Sequence, residues 1–368
     1  DGLQLNGHSV TLLGTGDGFK SYPVDILIKS TIFEFPVLKI IAKIIDKLFK
    51  ISLNDIEIGI KTYFRLKSLT EFDIVQLINE NSFKTTSRFE VFLLKKIIKN
   101  NKNLFLLSCG VDYKSVKYAL EKKFKYSILT PYFEDNKLKN NYRHILKYNN
   151  TSYEKLHRYI YKNILGVISS DLDYHIPLFG EKKYLGMAPN PINIDNIKYN
   201  FTEVDKKVII FHGINKKSSL KKGNKYFTKA MEIIKKKHGN KIKYIEVQDL
   251  NYNDYINSYS KCHIFLDQVY AYDQGYNALE AMAKGKVVFT GAEKEWLDYY
   301  NILEDTIAIN ALPDINYLVE KISILIENPE KIKSISINAR KFIEKQHSYK
   351  NVADIYEEKW LKAIKNEK

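Results

Sequence analysis

One segment combines a strand end, a polar loop and a helix start, an arrangement that can bind phosphate and ribose. It runs from Asp267 to Gly291: a strand ends at Asp267, and a helix begins near Gly275 and ends before Gly285. The first turn of a helix has unpaired N–H groups and a partial positive charge, so phosphates bind there. Glu280 lies about one and a half turns further on, where its carboxylate could accept both ribose hydroxyls. The same pattern also fits an ordinary strand–loop–helix unit in which Glu280 is a surface charge.

A second segment places several positive charges after a buried strand. The loop from His212 to Gly223 follows the predicted strand Lys207–Phe211 and precedes a helix at Lys225. Its lysines are Lys216, Lys217, Lys221 and Lys222. Loops at the carboxyl ends of parallel strands bind ligands in α/β folds, and ammonium groups there would neutralise a departing diphosphate. A solvated lysine run is the competing interpretation.

Short apolar runs alternate with helical patterns, such as Lys225–Lys237 and Asn316–Glu327, along the whole chain. This alternation predicts parallel sheets covered by helices. A chain of 368 residues is also too long for one ordinary core, so two domains are expected. The predicted strands are Ser9–Leu13, Phe72–Leu77, Asn103–Ser108, Gly166–Ser170, Lys207–Phe211, Lys243–Val247, Cys262–Asp267, Lys286–Thr290 and Thr306–Asn310.

Two prolines within Ala188–Asn193 predict a domain junction near the middle of the chain, because proline ends regular structure and stiffens an extended linker. We predict a first domain over 1–188, a second over 189–345 and a final helical segment over 346–368. Leu3–Gly7 reads as a helix end followed at once by a strand, so we expect that the first strand of the first domain precedes Asp1.

The formal net charge of +15 favours anionic partners, namely nucleotide phosphates, anionic lipid or nucleic acid. Lysine-rich coding in an AT-rich genome is an alternative origin of this charge. The basic loops contain no recognised nucleic-acid-reading motif, so we predict no nucleic-acid partner.

Metal and disulfide chemistry is not expected. Cys109 and Cys262 fit no metal spacing, and we find no His-Glu-x-x-His, paired-cysteine or Asp-x-Asp motif that supports a bound metal. His144, His157 and His238 are expected to face solvent.

With no run of about 18 apolar residues and no signal peptide, the expected location is the cytoplasm.

The segment Pro36–Lys50 predicts a basic amphipathic helix. Helices of this kind can lie on anionic membranes, which would place the protein at the inner face of the cell membrane. Packing of the apolar stripe into the core is the alternative. The stripe comprises Val37, Leu38, Ile40, Ile41, Ile44, Ile45, Leu48 and Phe49, and Lys39, Lys43, Lys47 and Lys50 lie off it.

Taken together, these motifs resemble the retaining glycosyltransferases of the GT-B fold, in the glycosyl transferases group 1 family. The similarity rests on Lys222-Gly223, on the helix motif Leu279–Lys286, on the Pro189–Ile192 junction and on the closing segment His347–Trp360. It covers residues ~165–365 well and the first half more loosely, at Leu5–Leu13 and Gly16–Pro23. The resemblance implies two Rossmann-like domains facing across a cleft, with the last helix returning to the first domain.

The resemblance also implies which residues act. Asp273, Glu280 and Lys222 would carry catalysis, and Asp17 and Asp112 would lie on the acceptor side. The implied donor-binding residues are Gly213, Asn215, Lys216, Lys217, Lys222, Tyr272, Gly275, Tyr276, Asn277 and Glu280.

The sequence departs from the family pattern at two places. The family has two glutamates with seven residues between them; Glu280 fits the second, and the first falls on Tyr272, with Asp273 beside it. The basic residue that follows the loop glycine in the family is absent after Gly213, and Lys216 or Lys217 is expected to replace it.

The implied reaction is transfer of a sugar from a nucleotide sugar to an acceptor hydroxyl, with retention and without metal or cofactor. The expected acceptor is a glycan, a lipid-linked molecule or a protein in bacterial surface-glycan or glycoconjugate synthesis. Two alternatives stay open: a sugar-nucleotide epimerase of the same fold, which would need carboxylates and a histidine in the cleft, and a non-catalytic sugar-nucleotide-binding protein.

Overall fold

The computed structural model describes residues 1–16, 18–20, 22–49 and 51–367, and it shows two parallel sheets covered by helices. The strands of the first half are β1 (Leu13–Gly14), β2 (Ile26–Leu27), β3 (Ile74–Ile78), β4 (Asn103–Ser108), β5 (Gly166–Ser169) and β6 (Tyr184–Met187). Its helices are α1 (Gly2–Leu5), α2 (Pro36–Phe49), α3 (Leu53–Arg65), α4 (Ser87–Asn100), α5 (Tyr113–Leu120), α6 (Thr130–Glu134), α7 (Arg143–Leu146), α8 (Thr151–Asn163) and α9 (Leu172–Leu178).

The first sheet has the order β3-β4-β5-β6, and every pairing in it is parallel. β1 and β2 form a separate short parallel pair. Strand β5 is buried at every position, as expected for a central strand covered on both faces.

The second half repeats this plan with a five-stranded parallel sheet of order β11-β10-β9-β7-β8. Its strands are β7 (Val208–Ile214), β8 (Ile242–Gln248), β9 (Ile264–Leu266), β10 (Val287–Thr290) and β11 (Ile309–Asn310). Its helices are α10 (Ser219–Lys222), α11 (Asn224–His238), α12 (Tyr252–Ser258), α13 (Tyr276–Ala283), α14 (Lys294–Tyr300), α15 (Ile315–Glu327) and α16 (Pro329–Phe342), followed by α17 (Tyr349–Glu367).

The last helix leaves the second half and packs on the first sheet. Trp360 of α17 lies in a buried cluster with Phe105 and Ile168, and its indole Nε1 donates to Gln76 Oε1 at 2.9 Å. Where the chain crosses back, Ile192 N donates to His347 O at 2.7 Å. The expected arrangement of two Rossmann-like units with a returning helix is confirmed, and the domain limits at 188 and 345 stay predictions.

Several strand limits differ from the predicted ones. Of the predicted strand Ser9–Leu13, only Leu13 lies in a strand; Leu12 O accepts from Ile26 N at 2.9 Å, and Leu12 N donates to the Asp25 side chain at 2.7 Å. Strand β7 continues to Ile214 and so includes His212 and Gly213. Strands β2 and β6 were not predicted. Within the described residues, no helix has both the length and the apolar character needed to span a bilayer.

Helix α2 confirms the predicted amphipathic helix, but its apolar stripe does not pack into a core. Ala42 is its one buried residue among those described. The side chains of Val37, Leu48 and Phe49 are 70%, 66% and 67% exposed. The alternative in which this stripe forms part of the core is therefore wrong. Lys50 lies outside the described residues.

Candidate functional site

A cavity of about 210 Å³ lies where the two halves meet at the carboxyl ends of their sheets, the usual ligand-binding edge of α/β folds. The loops after β4 and β5 line one side, and the loop from β9 to α13 lines the other. The polar residues of the lining are Ser115, Ser127, Asp171, Asp173, Tyr174, Gln268, Tyr270, Asp273 and Gln274.

The start of α13 opens onto this cavity. Gly275 caps the helix and lines the cavity, and a Cβ added at Gly275 would meet no atom within 4 Å. The space before the helix is therefore open, and the first amides, at Tyr276 and Asn277, have no intrahelical acceptor. Together with the dipole of an eight-residue helix, these amides form a position suited to a phosphate.

Asp273 lines the cavity and is held by two backbone donors. Its Oδ1 accepts from Gln274 N at 2.7 Å, and its Oδ2 accepts from Leu172 N of the first half at 3.0 Å. Burial, together with the nearby charge of Asp171, raises the pKa of Asp273 to about 7. Asp273 therefore lies in the interdomain site where it was predicted, as a fixed carboxyl that can accept or donate a hydrogen bond near neutral pH.

Asp171 and Asp173 join Asp273 in the same lining, and sequence reasoning missed both. Burial raises the pKa of Asp171 to about 6, and burial with repulsion from the other two carboxylates raises the pKa of Asp173. Asp171-Leu172-Asp173 is itself an Asp-x-Asp pair, so the expectation that the chain has no such pair is wrong. Across the described residues, however, no three His, Cys, Asp or Glu side chains converge as metal ligands.

Glu280 is buried, so its interpretation as a surface charge is wrong. Its Oε1 lies 2.7 Å from Lys20 Nζ, and the two side chains are 9% and 8% exposed. Tyr252 OH lies 3.4 Å from both carboxylate oxygens. Glu280 lines a second cavity of about 280 Å³ with Tyr252, Asn253 and Lys284. Lys20 lies within the loosely resembling segment Gly16–Pro23, which was the available signal for it.

Asp267 holds Lys222 near the carboxyl edge of the second sheet. Its Nζ lies 2.6 Å from Asp267 Oδ1, and Asp267 Oδ2 accepts from Thr290 Oγ1 at 3.1 Å. Gly223, next in the chain, has φ +68°, and an added Cβ would come within 2.3 Å of Val269. A glycine is therefore required where the lysine loop passes the loop that follows β9.

The rest of the basic loop lies in contact with solvent. Lys216 N donates to Asp249 Oδ1 at 2.9 Å, Lys217 N donates to Asn215 Oδ1 at 2.9 Å, and all three loop residues are exposed. Gly213 belongs to β7, where an added Cβ would come within 2.4 Å of Tyr255. None of these four residues is among the described residues that line either cavity.

The two predicted tyrosines have different surroundings. Tyr272 is buried between the halves: its N donates to the Asp173 carboxylate at 3.2 Å, and its OH accepts from Lys125 N at 2.8 Å. Tyr276 is exposed, with Lys20 Nζ 5.3 Å from its ring centre. Tyr272 therefore holds the interface, whereas Tyr276 is accessible to a ligand.

The two acceptor-side predictions, Asp17 and Asp112, have different outcomes. Asp17 lies outside the described residues. Asp112 is buried and caps α5: it accepts from Ser115 N at 2.8 Å and from the Ser108 hydroxyl. Both carboxylate oxygens are thus used inside the protein.

A buried hydrogen bond between a glutamate and a histidine lies close to Asp112. Glu80 Oε1 is 2.6 Å from His157 Nδ1, so the expectation that His157 faces solvent is wrong. His238 is also buried, whereas His144 is exposed as expected. The polar run Asn79–Asn81 directly after β3 was the sequence signal that could have identified Glu80.

Comparison with known proteins identifies similar structures for the whole fold and a family match for part of the sequence. Residues 224–358 match the family described as glycosyl transferase-like. No curated protein matches the chain. The structure is similar to sucrose-phosphate synthase from Thermosynechococcus elongatus, with a TM-score of 0.60 and 13% identity over 99% of this chain and 91% of that chain.

Two further structures are similar and contain ligands. HepE from Anabaena, in complex with UDP and glucose, gives a TM-score of 0.52 and 12% identity over 80% of each chain. A variant of S. aureus TarM, in complex with Fondaparinux, alpha-GlcNAc-glycerol and UDP, gives 0.51 and 17% identity over 85% of this chain and 59% of that chain. At these identities the similarity establishes the fold, and the ligands belong to those proteins.

Proposed function

We propose that this chain is a glycosyltransferase of the GT-B fold that transfers a sugar from a nucleotide-sugar donor to an acceptor hydroxyl, with retention of configuration and without a metal or other cofactor. The observation that carries the proposal is the open start of α13 at the interdomain cavity, beside buried Asp273. The UDP complexes of the similar HepE and TarM structures support a nucleotide donor.

The donor would extend along α13. Its diphosphate would bind the free amides at Tyr276 and Asn277, with Lys222 close to the same sheet edge. Glu280, one turn further along the helix, would accept the ribose hydroxyls, and the sugar would enter the cavity beside Asp273. Lys20 and Tyr252 contact Glu280, so ribose binding must displace or share these contacts.

The reaction needs stabilisation of negative charge on the leaving diphosphate. Helix amides and Lys222 are fixed before the reaction and act in a partly dehydrated cleft, where electrostatic interactions are stronger than in water. The acceptor hydroxyl would attack from the face that the diphosphate leaves, and the departing phosphate would take its proton. The products are then the glycosylated acceptor and the nucleoside diphosphate.

The acceptor is proposed to be attached to a lipid, in bacterial surface-glycan synthesis at the inner face of the cell membrane. Support comes from α2, whose apolar stripe is exposed and flanked by Lys39, Lys43 and Lys47. An apolar face bordered by lysines is suited to the boundary between acyl chains and anionic headgroups.

The proposal is tested by incubating the protein with UDP-sugars and with lipid-linked, glycan and protein acceptors. We expect UDP and a glycosylated product to form. NMR of the product should show the same anomeric configuration as the donor. Inverted configuration would contradict retention. A changed sugar nucleotide without any acceptor would identify the epimerase alternative, and tight binding of the donor with no turnover by any acceptor would favour a binding protein.

A further inference from the structure

A short segment of the first half, residues 18–20, reaches into the second half of the molecule. The Phe19 ring packs edge-on against the rings of Tyr252 and Tyr255, with centroids 5.5 and 5.7 Å away, and adds to the core of the second half. Because Phe19 is anchored in this way, the next residue, Lys20, is carried to the proposed donor site. A cation from the first half therefore lies among residues of the second.

The Lys20 ammonium lies beside both the carboxylate and the start of α13. Its Nζ is 2.7 Å from Glu280 Oε1. It is also 5.3 Å from the ring centre of Tyr276, the first residue of α13, and 5.7 Å from that of Tyr252. Aromatic faces attract a cation without fixing the direction of a hydrogen bond. The ammonium can therefore move along this surface, from the carboxylate towards the start of the helix.

Ribose binding would compete with Lys20 for Glu280. Lys20 contacts Oε1, and Tyr252 OH lies 3.4 Å from both carboxylate oxygens, which are the atoms that two ribose hydroxyls would need. Glu280 would keep a cation nearby, because half-buried Lys284 lines the same cavity. A buried ammonium that leaves a carboxylate needs another anion. A diphosphate on the first amides of α13 would bring that negative charge within one helical turn of Glu280.

We propose that Lys20 is a donor-binding residue that moves from Glu280 to the diphosphate when the nucleotide binds. A compact charge on a flexible four-carbon stem is suited to such an exchange. The inference rests on the proposed function, because it takes Glu280 as the ribose acceptor and the α13 amides as the phosphate site. The donor site is then completed by the first half, and the negative charge of the donor helps to hold the two halves together.

The test compares UDP with uridine, which lacks the diphosphate, in the wild type and in Lys20→Gln. Calorimetry measures UDP affinity, and competition with UDP measures uridine affinity. In Lys20→Gln, UDP should bind about tenfold or more weakly, the scale of one charge-assisted hydrogen bond. Uridine should bind at least as tightly as to the wild type, because Lys20 no longer competes for Glu280. A merely structural role would weaken both ligands alike, and that result would overturn the inference.

Two variants serve as controls. Lys20→Arg keeps the charge and should keep the preference for UDP over uridine. Lys29→Gln removes an exposed lysine of the first half, so it changes the net charge equally and should leave both affinities unchanged. A loss of UDP affinity in Lys29→Gln as large as that in Lys20→Gln would assign the effect to overall charge and overturn the inference.

A second comparison, in a Glu280→Gln background, covers the case in which Lys20→Gln alone does not fold. Replacing both residues leaves neither charge of the pair unmatched. Relative to Glu280→Gln, the double variant should bind UDP about tenfold more weakly and uridine equally. Equal UDP affinity of these two proteins would overturn the inference and leave the proposed function intact. Absence of binding by every nucleoside diphosphate, in the wild type and in the variants, would overturn the proposed function as well.

Discussion

The carboxylate of Glu280 tests the donor orientation at the residue scale. Glu280→Gln should weaken UDP binding by about 1–3 kcal/mol, because a charge-assisted bond to the ribose hydroxyls is lost. The variant should stay folded, although the ion pair between Lys20 and Glu280 is lost. Titrating the variant and the wild type with UDP measures the loss of affinity. Titrating the wild type with the dideoxyribose analogue of UDP measures the contribution of the ribose hydroxyls. If the wild type binds the two nucleotides equally, Glu280 does not contact the ribose.

Lys222 is predicted to contact the donor diphosphate. Lys222→Ala should weaken UDP binding by about 1–3 kcal/mol, and it should also lower the melting temperature because buried Asp267 loses its cation. Lys225→Ala, which removes an exposed lysine paired with Glu134, is the control. An unchanged dissociation constant in Lys222→Ala, measured well below its melting temperature, would remove Lys222 from the site.

Asp273 predicts a pH dependence of stability. Its pKa rises from an ordinary value near 3.8 to about 7 on burial, so the folded state binds the proton more tightly than the unfolded state. Its contribution to the free energy of unfolding therefore falls as pH rises from about 4 to about 7, and it is constant above that range.

Asp273→Asn removes this titration. The difference in melting temperature, variant minus wild type, should increase as pH rises through this window. The lost hydrogen bond adds a constant offset, which does not change this trend. Asp298→Asn, a change at an exposed carboxylate, is the control. A flat difference for Asp273→Asn would show that its carboxyl is not desolvated.

At the scale of elements, α13 and the turn after it show how one motif combines binding and structural roles. Gly285 ends the helix region with φ +80°, and the following Lys286 is fully buried, donating to the carbonyls of Asn200 and Ser260 at 2.8 Å. The end of the motif thus fastens the helix, while its start, at Gly275, faces the cavity. Mutations at the two ends are expected to affect stability and binding respectively.

Helix α2 gives the prediction about membrane contact. The protein should co-sediment with anionic vesicles at low salt, because apolar side chains enter the interface and each nearby lysine adds about 1 kcal/mol of attraction. Replacing both Ile44 and Leu48 by Glu should abolish binding. Leu303→Glu, at a leucine of the second half that is more exposed than either, should not. Wild-type protein that stays in the supernatant would exclude α2 as a membrane anchor.

At the scale of the whole molecule, the proposed source of positive charge is the protein itself. Initial rates with a competent donor and acceptor should survive EDTA and depend little on Mg²⁺ or Mn²⁺, because α13 amides and Lys222 stabilise the leaving group. Rates should fall with added salt, which screens exposed charges over about 8–10 Å at physiological ionic strength. Complete loss in EDTA, restored by a divalent cation, would instead implicate the Asp171-Leu172-Asp173 pair.

The sequence by itself determined the elements that local pattern controls. Strand β4 matches its predicted limits, α13 begins and ends where its glycines require, and α17 lies within the predicted final helical segment. Hydrophobic period, helix caps and turn residues act over a few neighbours, so one sequence suffices to recognise them.

Only the tertiary structure decided which side chains meet. Lys20 and Glu280 are 260 positions apart in the sequence and Leu172 and Asp273 are 101 apart, yet each pair is joined by a hydrogen bond. The exposure of α2 likewise depends on which other elements pack against it. Such contacts arise where two separate sheets bring their carboxyl ends together. A local pattern does not encode that distance, which is why the acidic cavity became visible only in the assembled fold.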